Sequence, residues 1–322
     1  MNTKPIELIN YATLAPSGHN TQPWRFSIDT NTIRIFPDIT RRLPVVDPDD
    51  HALYISLGCA LENLILAANN AGYDTEISYF PTSEPQECLV VQLKEGFKAK
   101  GDKLFRAILE RQSTRSQFDG KPIPQEHLRM LEDASKQEGV VLKLIIQSRD
   151  IEPIIQFVKE GNRAQFNDKA FVQELVSWIR FSKKEVTQHQ DGLASNAMGS
   201  PLVPRWLGKI FFSLTASPKK QASICEKAIR GSSALMIFIA QANNKITWVK
   251  VGQSFERVAL TATSLNIRMA HLNMPCEVVS VRVKLAEHIR LPDTHPLLLL
   301  RIGYAELMPR SPRRAVKGVI IS

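Results

Sequence analysis

The stretch "SLGCALENLILAANNAGYDTEISYFP", residues 56–81, decides the fold because a related stretch recurs later in the chain. Residues 250–275 read "KVGQSFERVALTATSLNIRMAHLNMP" and align with it at a constant offset of 194. Both have apolar residues at the spacing of an amphipathic helix, followed by a turn and a strand-like segment. This indicates an internal duplication, with chance similarity between two amphipathic helices as the alternative. The identical pairs are Gly58 and Gly252, Glu62 and Glu256, Leu66 and Leu260, Ala68 and Ala262, and Pro81 and Pro275.

A second pair of stretches supports the duplication. Residues 5–15, "PIELINYATLA", resemble residues 124–134, "PQEHLRMLEDA", at an offset of 119. Because the two offsets differ by 75, the second copy holds about 75 additional residues between its landmarks. We expect this insertion at about 155–230, with helices over 160–220. Whether it is a lid over a site or a stabilising appendage stays open at this point.

The two copies differ in their polar loops. Only the first contains "SGHN" at 17–20, and only the second is preceded by "RQSTR" at 111–115. We therefore predict an α+β fold of two fused halves, 1–100 and 101–322, that form an intramolecular pseudo-dimer. Complementary parts kept in different halves would build one site in a chain that is a monomer.

The polar loop of the first half lies within "LAPSGHNTQPWRF", residues 14–26. Pro16 ends a helix-like run because proline lacks an N–H donor, and Trp24 begins a strand-like alternation that we assign to the core. The loop between them is either a plain turn or a shelf that presents N–H groups to a ligand. His19 is either a structural histidine or a proton carrier.

Composition narrows the class of protein. The 322 residues are 43% apolar and 23% charged, which suits a folded chain with two cores. We expect no membrane partner, because no uncharged segment is long enough to span a bilayer and the first residues are not signal-like. The net charge of +9 favours anionic partners, but no nucleic-acid-binding motif accompanies it. Four scattered cysteines without metal-binding spacing predict reduced thiols in a cytoplasmic protein.

Four motifs together resemble the nitroreductase family of FMN flavoproteins, and the duplicated form with an insertion resembles its Acg-type members. The resemblance implies a nitroreductase-like fold that holds about one FMN per chain between its halves. The motifs are "APSGHNTQPWRF" at 15–26, "RQSTRSQFDGKPIP" at 111–124, "GQSFERVALTATSLNI" at 252–267 and "RIGYAELMPRSPRRAV" at 301–316.

The resemblance also implies contacts to the flavin ring. Gly18 would allow close approach of the ring because it has no Cβ. The backbone N–H groups of Asn273 and Met274 would reach N5 and O4 of the flavin. The residues of the ring-contacting loop are Pro16, Ser17, Gly18 and Asn20.

Arginines are the residues implied for the FMN phosphate, since guanidinium groups match phosphate oxygens in pairs. Arg115 is implied at the flavin N1/O2 edge, although one extra residue before Phe118 departs from the family pattern. The phosphate-binding residues are Arg111 and Ser113, with Arg310, Arg313 or Arg314 on the other side.

The function implied by this resemblance is hydride transfer from NAD(P)H to FMN and on to a nitroaromatic, a quinone or another small electron-poor acceptor. The chemistry belongs to the flavin, which fits the lack of a nucleophile–base motif or a Gly-x-Gly-x-x-Gly sequence. One alternative is a protein that sequesters FMN because its lid blocks NAD(P)H. Another is a basic interaction domain with no cofactor.

Overall fold

The computed structural model describes residues 5–96, 103–291 and 293–321. Within these residues the chain is a mixture of helices and two four-stranded sheets. The boundary expected between residues 100 and 101 falls outside the described residues. The division into 1–100 and 101–322 therefore stays a prediction.

The first sheet contains the strand that the alternation from Trp24 onward predicted. Trp24 and Phe26 are completely buried, so both belong to the core as expected. All neighbouring strands are antiparallel, in the order β1-β2-β4-β3. Residue 320 near the carboxyl end pairs with Phe26, so the end of the chain lies beside β1. The strands are β1 (Trp24–Asp29), β2 (Thr32–Pro37), β3 (Tyr73–Tyr79) and β4 (Leu89–Glu95).

The second sheet repeats the topology of the first. Its four strands are antiparallel in the order β5-β8-β10-β9, which is the order of the first sheet when strands are matched along the chain. This recurrence confirms the predicted α+β class with two related halves. The remaining strands are β5 (Val140–Ile145), the short pair β6 (Ile179–Arg180) and β7 (Leu193–Ala194), β8 (Ala234–Ala240), β9 (Arg268–His271) and β10 (His295–Gly303).

The helices follow the same duplicated plan, with α1 and α4 before the two sheets and α2 and α10 between their strands. α2 and α10 are the two helices that the opening repeat predicted. The helices are α1 (Pro5–Ala12), α2 (His51–Ala71), α3 (Lys103–Ile108), α4 (Gln125–Ala134), α5 (Ser148–Asn167), α6 (Lys169–Trp178), α7 (Lys183–His189), α8 (Arg205–Thr215), α9 (Pro218–Arg230), α10 (Lys245–Ser264), α11 (Met274–Glu277) and α12 (Val279–His288).

The repeated glycines mark the point where α2 and α10 cross. A Cβ on Gly58 would lie 2.0 Å from the carbonyl oxygen of Val249, and one on Gly252 would lie 2.0 Å from that of Ile55. Ile55 and Val249 are themselves separated by the repeat offset of 194. The crossing is therefore close to two-fold symmetric, and only glycine lets the two backbones approach this closely.

The additional residues of the second copy lie between β5 and β8. They form α5 to α9 together with the short parallel pair of β6 and β7. α5 and α9 cover the outer face of the second sheet, where a separate apolar cluster includes Ile154, Val158 and Ile229. The rest of the segment extends toward the first half.

Within the described residues one helix, α2, is long and apolar enough to cross a membrane by length and composition alone. Its apolar stretch is 94% buried inside the protein. α2 is therefore the central core helix of this fold.

Candidate functional site

A cavity of about 450 Å³ lies where the two halves and the insertion meet. This volume is within the range of roughly 300–1,000 Å³ typical of small-molecule sites. Its wall combines the 14–20 loop, one face of α2, the segment at 111–115, the start of α11 and the chain at 309–313. Both halves therefore contribute to a single cavity.

All but one of the residues proposed for cofactor binding line this cavity. The exception is Arg314, whose guanidinium donates to the carbonyl oxygens of Gln22 and Gly318, each at 3.0 Å. Arg314 thus attaches the end of the chain to the first half and is removed from the proposed binding set. The proposed residues that line the cavity are Pro16, Ser17, Gly18, Asn20, Arg111, Ser113, Arg115, Asn273, Met274, Arg310 and Arg313.

The polar loop of the first half has an unusual backbone. His19, Asn20 and Gln22 have φ values of 44°, 54° and 53°, a region that non-glycine residues adopt at a cost. Hydrogen bonds hold this shape, since Ser17 Oγ accepts from the Gln22 N–H at 2.9 Å. Gln22 is fully buried, and its side-chain amide donates to the Gln190 carbonyl oxygen in the insertion at 2.9 Å. The loop therefore differs from a plain turn, because three of its residues have positive φ values and its side chains bond both to the loop itself and to the insertion.

Two side chains of this loop have roles that the sequence did not predict. Asn20 Nδ2 donates to the carbonyl oxygens of Gly192 and Pro312 at 3.0 and 3.1 Å. Its Oδ1 accepts from Arg313 at 3.0 Å, so the side chain fastens the loop to both other parts of the wall. A Cβ on Gly18 would lie 3.2 Å from Leu43 Cδ1. Glycine at this position therefore leaves room for Leu43 as well as lining the cavity.

Four arginines line the cavity, but they have few anionic partners. Arg111 is buried, with its Nε 3.2 Å from Glu256 Oε1. Arg313 donates to the Leu14 carbonyl oxygen at 3.2 Å, and burial lowers its pKa to about 9. Among the described residues no carboxylate forms an ion pair with Arg115, Arg310 or Arg313. The wall thus carries an excess of positive charge, which an anionic ligand would neutralise.

Glu256 is the carboxylate that balances part of this charge. It is completely buried in α10, and burial raises its pKa to about 7 even though Arg111 acts in the opposite direction. Its counterpart in the first half, Glu62, pairs instead with Arg257. Ion pairs of the repeated glutamates therefore involve different arginines, Arg111 for Glu256 and Arg257 for Glu62, and Arg111 lines the cavity.

Two histidines of the wall have lowered pKa values. Burial, and then the nearby Arg115, lowers the pKa of His19 to about 4 and that of His271 to about 3. His19 Nδ1 is buried without a hydrogen-bond partner. His271 ends β9 and packs edge-to-face on Phe255 with ring centroids 5.2 Å apart. Sequence reasoning missed His271, and its position at the end of a strand before a helix was the signal that could have found it.

The segment at 273–277 presents backbone donors and one carboxyl group. The Asn273 side chain is held by β10, since its Oδ1 accepts from Leu299 N–H at 2.9 Å. The N–H groups of Asn273 and Met274 are at the start of α11, where helical N–H groups lack partners within the helix. Glu277 accepts from Gln165 at 2.6 Å, and burial raises its pKa. Asn273 and Met274 therefore line the cavity at the start of a short helix that β10 fixes in place.

The insertion closes one side of the cavity with apolar side chains. Phe166, Phe171 and Leu175 come from α5 and α6 and line the cavity. The Glu174 carboxylate accepts from two backbone N–H groups of the first half, at residues 45 and 46, both at 3.0 Å. These contacts join the insertion to the first half across the site.

A buried cluster centred on Asp191 adds to this attachment. Asp191 forms ion pairs with Arg180 of the insertion, at 2.7 Å, and with Arg41 of the first half. Both guanidinium groups also lie near the ring of Trp178. The insertion is thus held to the first half by charge as well as by apolar contact.

In the part of the chain that the structure describes, Asp47, Asp49 and His51 form one group with the proximity of a metal site, but hydrogen bonds already occupy their atoms. His51 Nδ1 lies 2.9 Å from Asp47 and 2.5 Å from Asp49. Although burial opposes the charged ring, these hydrogen bonds raise the pKa of His51 to about 9. Asp47 also accepts the N–H groups of Ala52 and Leu53 at the start of α2. The contacts of the cluster therefore cap the start of α2 with an ion pair.

Comparison with known proteins gives full-length relatives. The chain is 22% identical over 320 residues to a protein of Mycobacterium tuberculosis H37Rv named "Putative NAD(P)H nitroreductase", covering 97% of this chain and 90% of the relative. It is 23% identical over 327 residues to a second protein of that name, acg, from the same strain, covering 97% and 93%. No family model matches the chain.

Solved structures give weaker similarity. An FMN-dependent nitroreductase of Mycobacterium smegmatis in complex with NADPH is 14% identical, with a TM-score of 0.42. The alignment covers 67% of this chain and 96% of that structure. The full-length relatives, together with the duplicated fold described above, support the family that the sequence motifs indicated.

Proposed function

We propose that this chain, a member of the nitroreductase family, binds one FMN in the cavity between its halves and acts as an NAD(P)H-dependent oxidoreductase. The acceptor is a small electron-poor molecule such as a nitroaromatic or a quinone. When bound, FMN supplies the hydride-transfer chemistry. The described residues of the chain bind and orient it.

The observation that carries the proposal is the charge of the cavity wall. The phosphate of FMN is close to a dianion at neutral pH, and Arg111, Arg310 and Arg313 have too few carboxylate partners to neutralise them. The cavity volume, the apolar side chains of its wall and the unpartnered Nδ1 of His19 also fit an aromatic ring with a polar edge.

The roles of individual residues follow from their positions. Arg115, without a carboxylate partner among the described residues, supplies a fixed cation that would favour a flavin ring carrying negative charge. The N–H groups of Asn273 and Met274 offer hydrogen bonds to ring atoms from the start of α11. The neutral rings of His19 and His271 neither add to nor cancel the arginine charge at pH 7.

An FMN titration of Arg111→Ala tests the proposal. Loss of a charge-assisted contact costs about 1.5–3 kcal/mol, so the dissociation constant should rise by roughly 10- to 150-fold. Arg129→Ala is a matched control, because Arg129 is exposed on α4 and does not line the cavity. Equal FMN affinity for both variants and the unmodified protein would place the phosphate elsewhere.

A second candidate function is retention of FMN without turnover, and the attachment of the insertion favours it. Glu174 and Asp191 fasten the insertion to the first half, directly beside the cavity. A firmly closed insertion would exclude NAD(P)H while keeping FMN. The protein would then bind the cofactor as a carrier or store.

An anaerobic titration with NADPH and then NADH separates the two functions. Loss of the visible flavin absorption, restored by a quinone or a nitroaromatic, would establish the reductase. A yellow protein that dithionite reduces but neither nicotinamide reduces would establish retention. A colourless protein that takes up no FMN would refute both and favour a cofactor-free interaction domain.

The cellular setting is part of the same proposal. All four cysteines are free thiols in the structure, which suits the reducing cytoplasm. The site draws on both halves of one chain, so a monomer that acts as its own pseudo-dimer needs no second copy for FMN binding.

A further inference from the structure

The outer face of the insertion carries an apolar stripe on α8. Trp206, Ile210 and Leu214 follow at intervals of four residues and are 66%, 48% and 61% exposed. Residues at this spacing share one face of a helix, and Phe211, half exposed, widens the stripe. A helix of a soluble domain ordinarily turns such a face inward. Here the largest apolar side chains of α8 point outward.

The inner face of the same helix explains this orientation. A Cβ on Gly208 would lie 2.3 Å from Phe181, so the glycine side of α8 is pressed against the insertion. Phe212 joins the apolar cluster of Ile179 and Leu193 on that side. α8 therefore has a satisfied inner contact, and its exposed stripe is additional to what the fold needs.

Lysines flank the stripe, and the carboxylate of Glu185, which contacts the start of α8, is paired with Arg205 at 2.6 Å. Lys209 lies on α8 itself, and Lys219 and Lys220 begin α9 on the next turn of chain; all three are exposed. Between Asp191 and Glu226 the sequence contains no aspartate or glutamate. In the part of the chain that the structure describes, no carboxylate forms an ion pair with any of these three lysines.

We propose that α8 is a docking surface for an anionic lipid bilayer, on which it lies with Trp206, Ile210, Phe211 and Leu214 inserted among the lipid headgroups. Interfacial helices combine an outward apolar face that includes Trp or Phe with flanking lysines. A second copy of this chain fits less well, because a symmetric contact would bring two patches of the same positive charge together. An anionic surface instead complements them.

A helix that lies on a bilayer needs no segment that crosses it, so this surface association goes beyond the sequence criteria on which the expectation of no membrane partner rested. It goes beyond the proposed function and does not depend on FMN. One consequence rests on the proposed oxidoreductase function. An apolar quinone acceptor dissolved in the bilayer would be close to a protein that is bound to the bilayer surface.

Vesicle co-sedimentation of the full chain tests the proposal. Vesicles of phosphatidylcholine with phosphatidylglycerol should bind the protein, and vesicles of phosphatidylcholine alone should bind it far less. The variant Lys209→Gln, Lys219→Gln, Lys220→Gln should lose about 100-fold in affinity for the anionic vesicles, at about fivefold per lysine. Binding of the unmodified protein should also fall with added salt.

The apolar stripe is tested by replacing Trp206, Ile210, Phe211 and Leu214 with serine. These side chains are exposed, so the variant should keep its circular dichroism spectrum and its FMN uptake while losing vesicle binding. Val279→Ser with Val283→Ser is the control, since these exposed apolar residues of α12 should not matter.

Three results would overturn the proposal. The first is equal vesicle binding by the stripe variant and the unmodified protein. The second is no binding to anionic vesicles by a monomeric protein. The third is a dimer in light scattering that the stripe variant abolishes, without vesicle binding, which would assign the stripe to a second copy. Because the assay reads lipid binding, failure here leaves the FMN proposal untouched, and failure of FMN binding leaves this one untouched.

Discussion

Replacing Gly58 with alanine should separate the two halves at the crossing of α2 and α10. The added Cβ would lie 2.0 Å from Val249 O, 2.8 Å from Val249 C and 3.0 Å from Gly252 Cα. All three are backbone atoms, so no side chain can rotate away. Since Cβ contacts below 3.0 Å essentially do not occur, the helices must move apart by about 1 Å.

The cost follows from the packing lost along these central helices. Overpacking of a core costs about 1–3 kcal/mol and occasionally more, and a backbone clash between two long helices belongs at the upper end. We therefore expect Gly58→Ala to lower the free energy of unfolding by about 3 kcal/mol, measured by urea denaturation. Gly252→Ala should cost a similar amount because its Cβ would lie 2.0 Å from Ile55 O.

Two further variants make the test strict. Gly318→Ala is the control, since a Cβ there meets nothing within 4 Å. The double variant at positions 58 and 252 should cost clearly less than the sum of the single ones, because the first substitution already separates the helices for the second. A loss below about 1 kcal/mol for Gly58→Ala, or strict additivity, would refute the symmetric crossing.

Two other predictions concern charges near the cavity. Burial raises the pKa of Glu256 from 4.5 to about 7. The contribution of this group to the free energy of unfolding is therefore fully present below pH 4.5 and declines as the pH rises to about 7. Glu256→Gln should remove that decline in urea denaturation at about pH 5 to 8. Asp191→Asn should lower the free energy of unfolding by about 3 kcal/mol, because it leaves buried guanidinium groups unpaired. It should also accelerate FMN release in stopped-flow fluorescence. Asp133→Asn, which breaks an exposed ion pair, should change neither quantity.

Much of the fold could be predicted from the sequence because the duplication leaves a direct signal. A helix that packs on a copy of itself needs the same small residue at the same place, so Gly58 and Gly252 are read from the repeat alone. The strand from Trp24 was equally visible, since alternation reports which face of a sheet is covered. Sheet order was beyond the sequence, because pairing depends on strands distant in the chain.

The candidate site was predicted in outline and less well in its contacts. Composition and motif placed the arginines, but they could not tell Arg313, which faces the cavity, from Arg314, which bonds Gln22 and Gly318. Adjacent residues of an irregular segment point in directions set by its backbone, and no periodicity reports them. The use of Asn20 as a fastener likewise depends on Gly192 and Pro312, which lie far away in sequence.

The contact between α2 and α10 joins two parts of one covalent chain. In a protein assembled from separate subunits, dilution would pull such a contact apart and with it any site shared across it. Here the two halves are covalently linked, so the effective concentration of one half around the other is high and fixed. A site shared in this way has an affinity for its ligand that does not depend on how much of the protein is present, down to a single molecule.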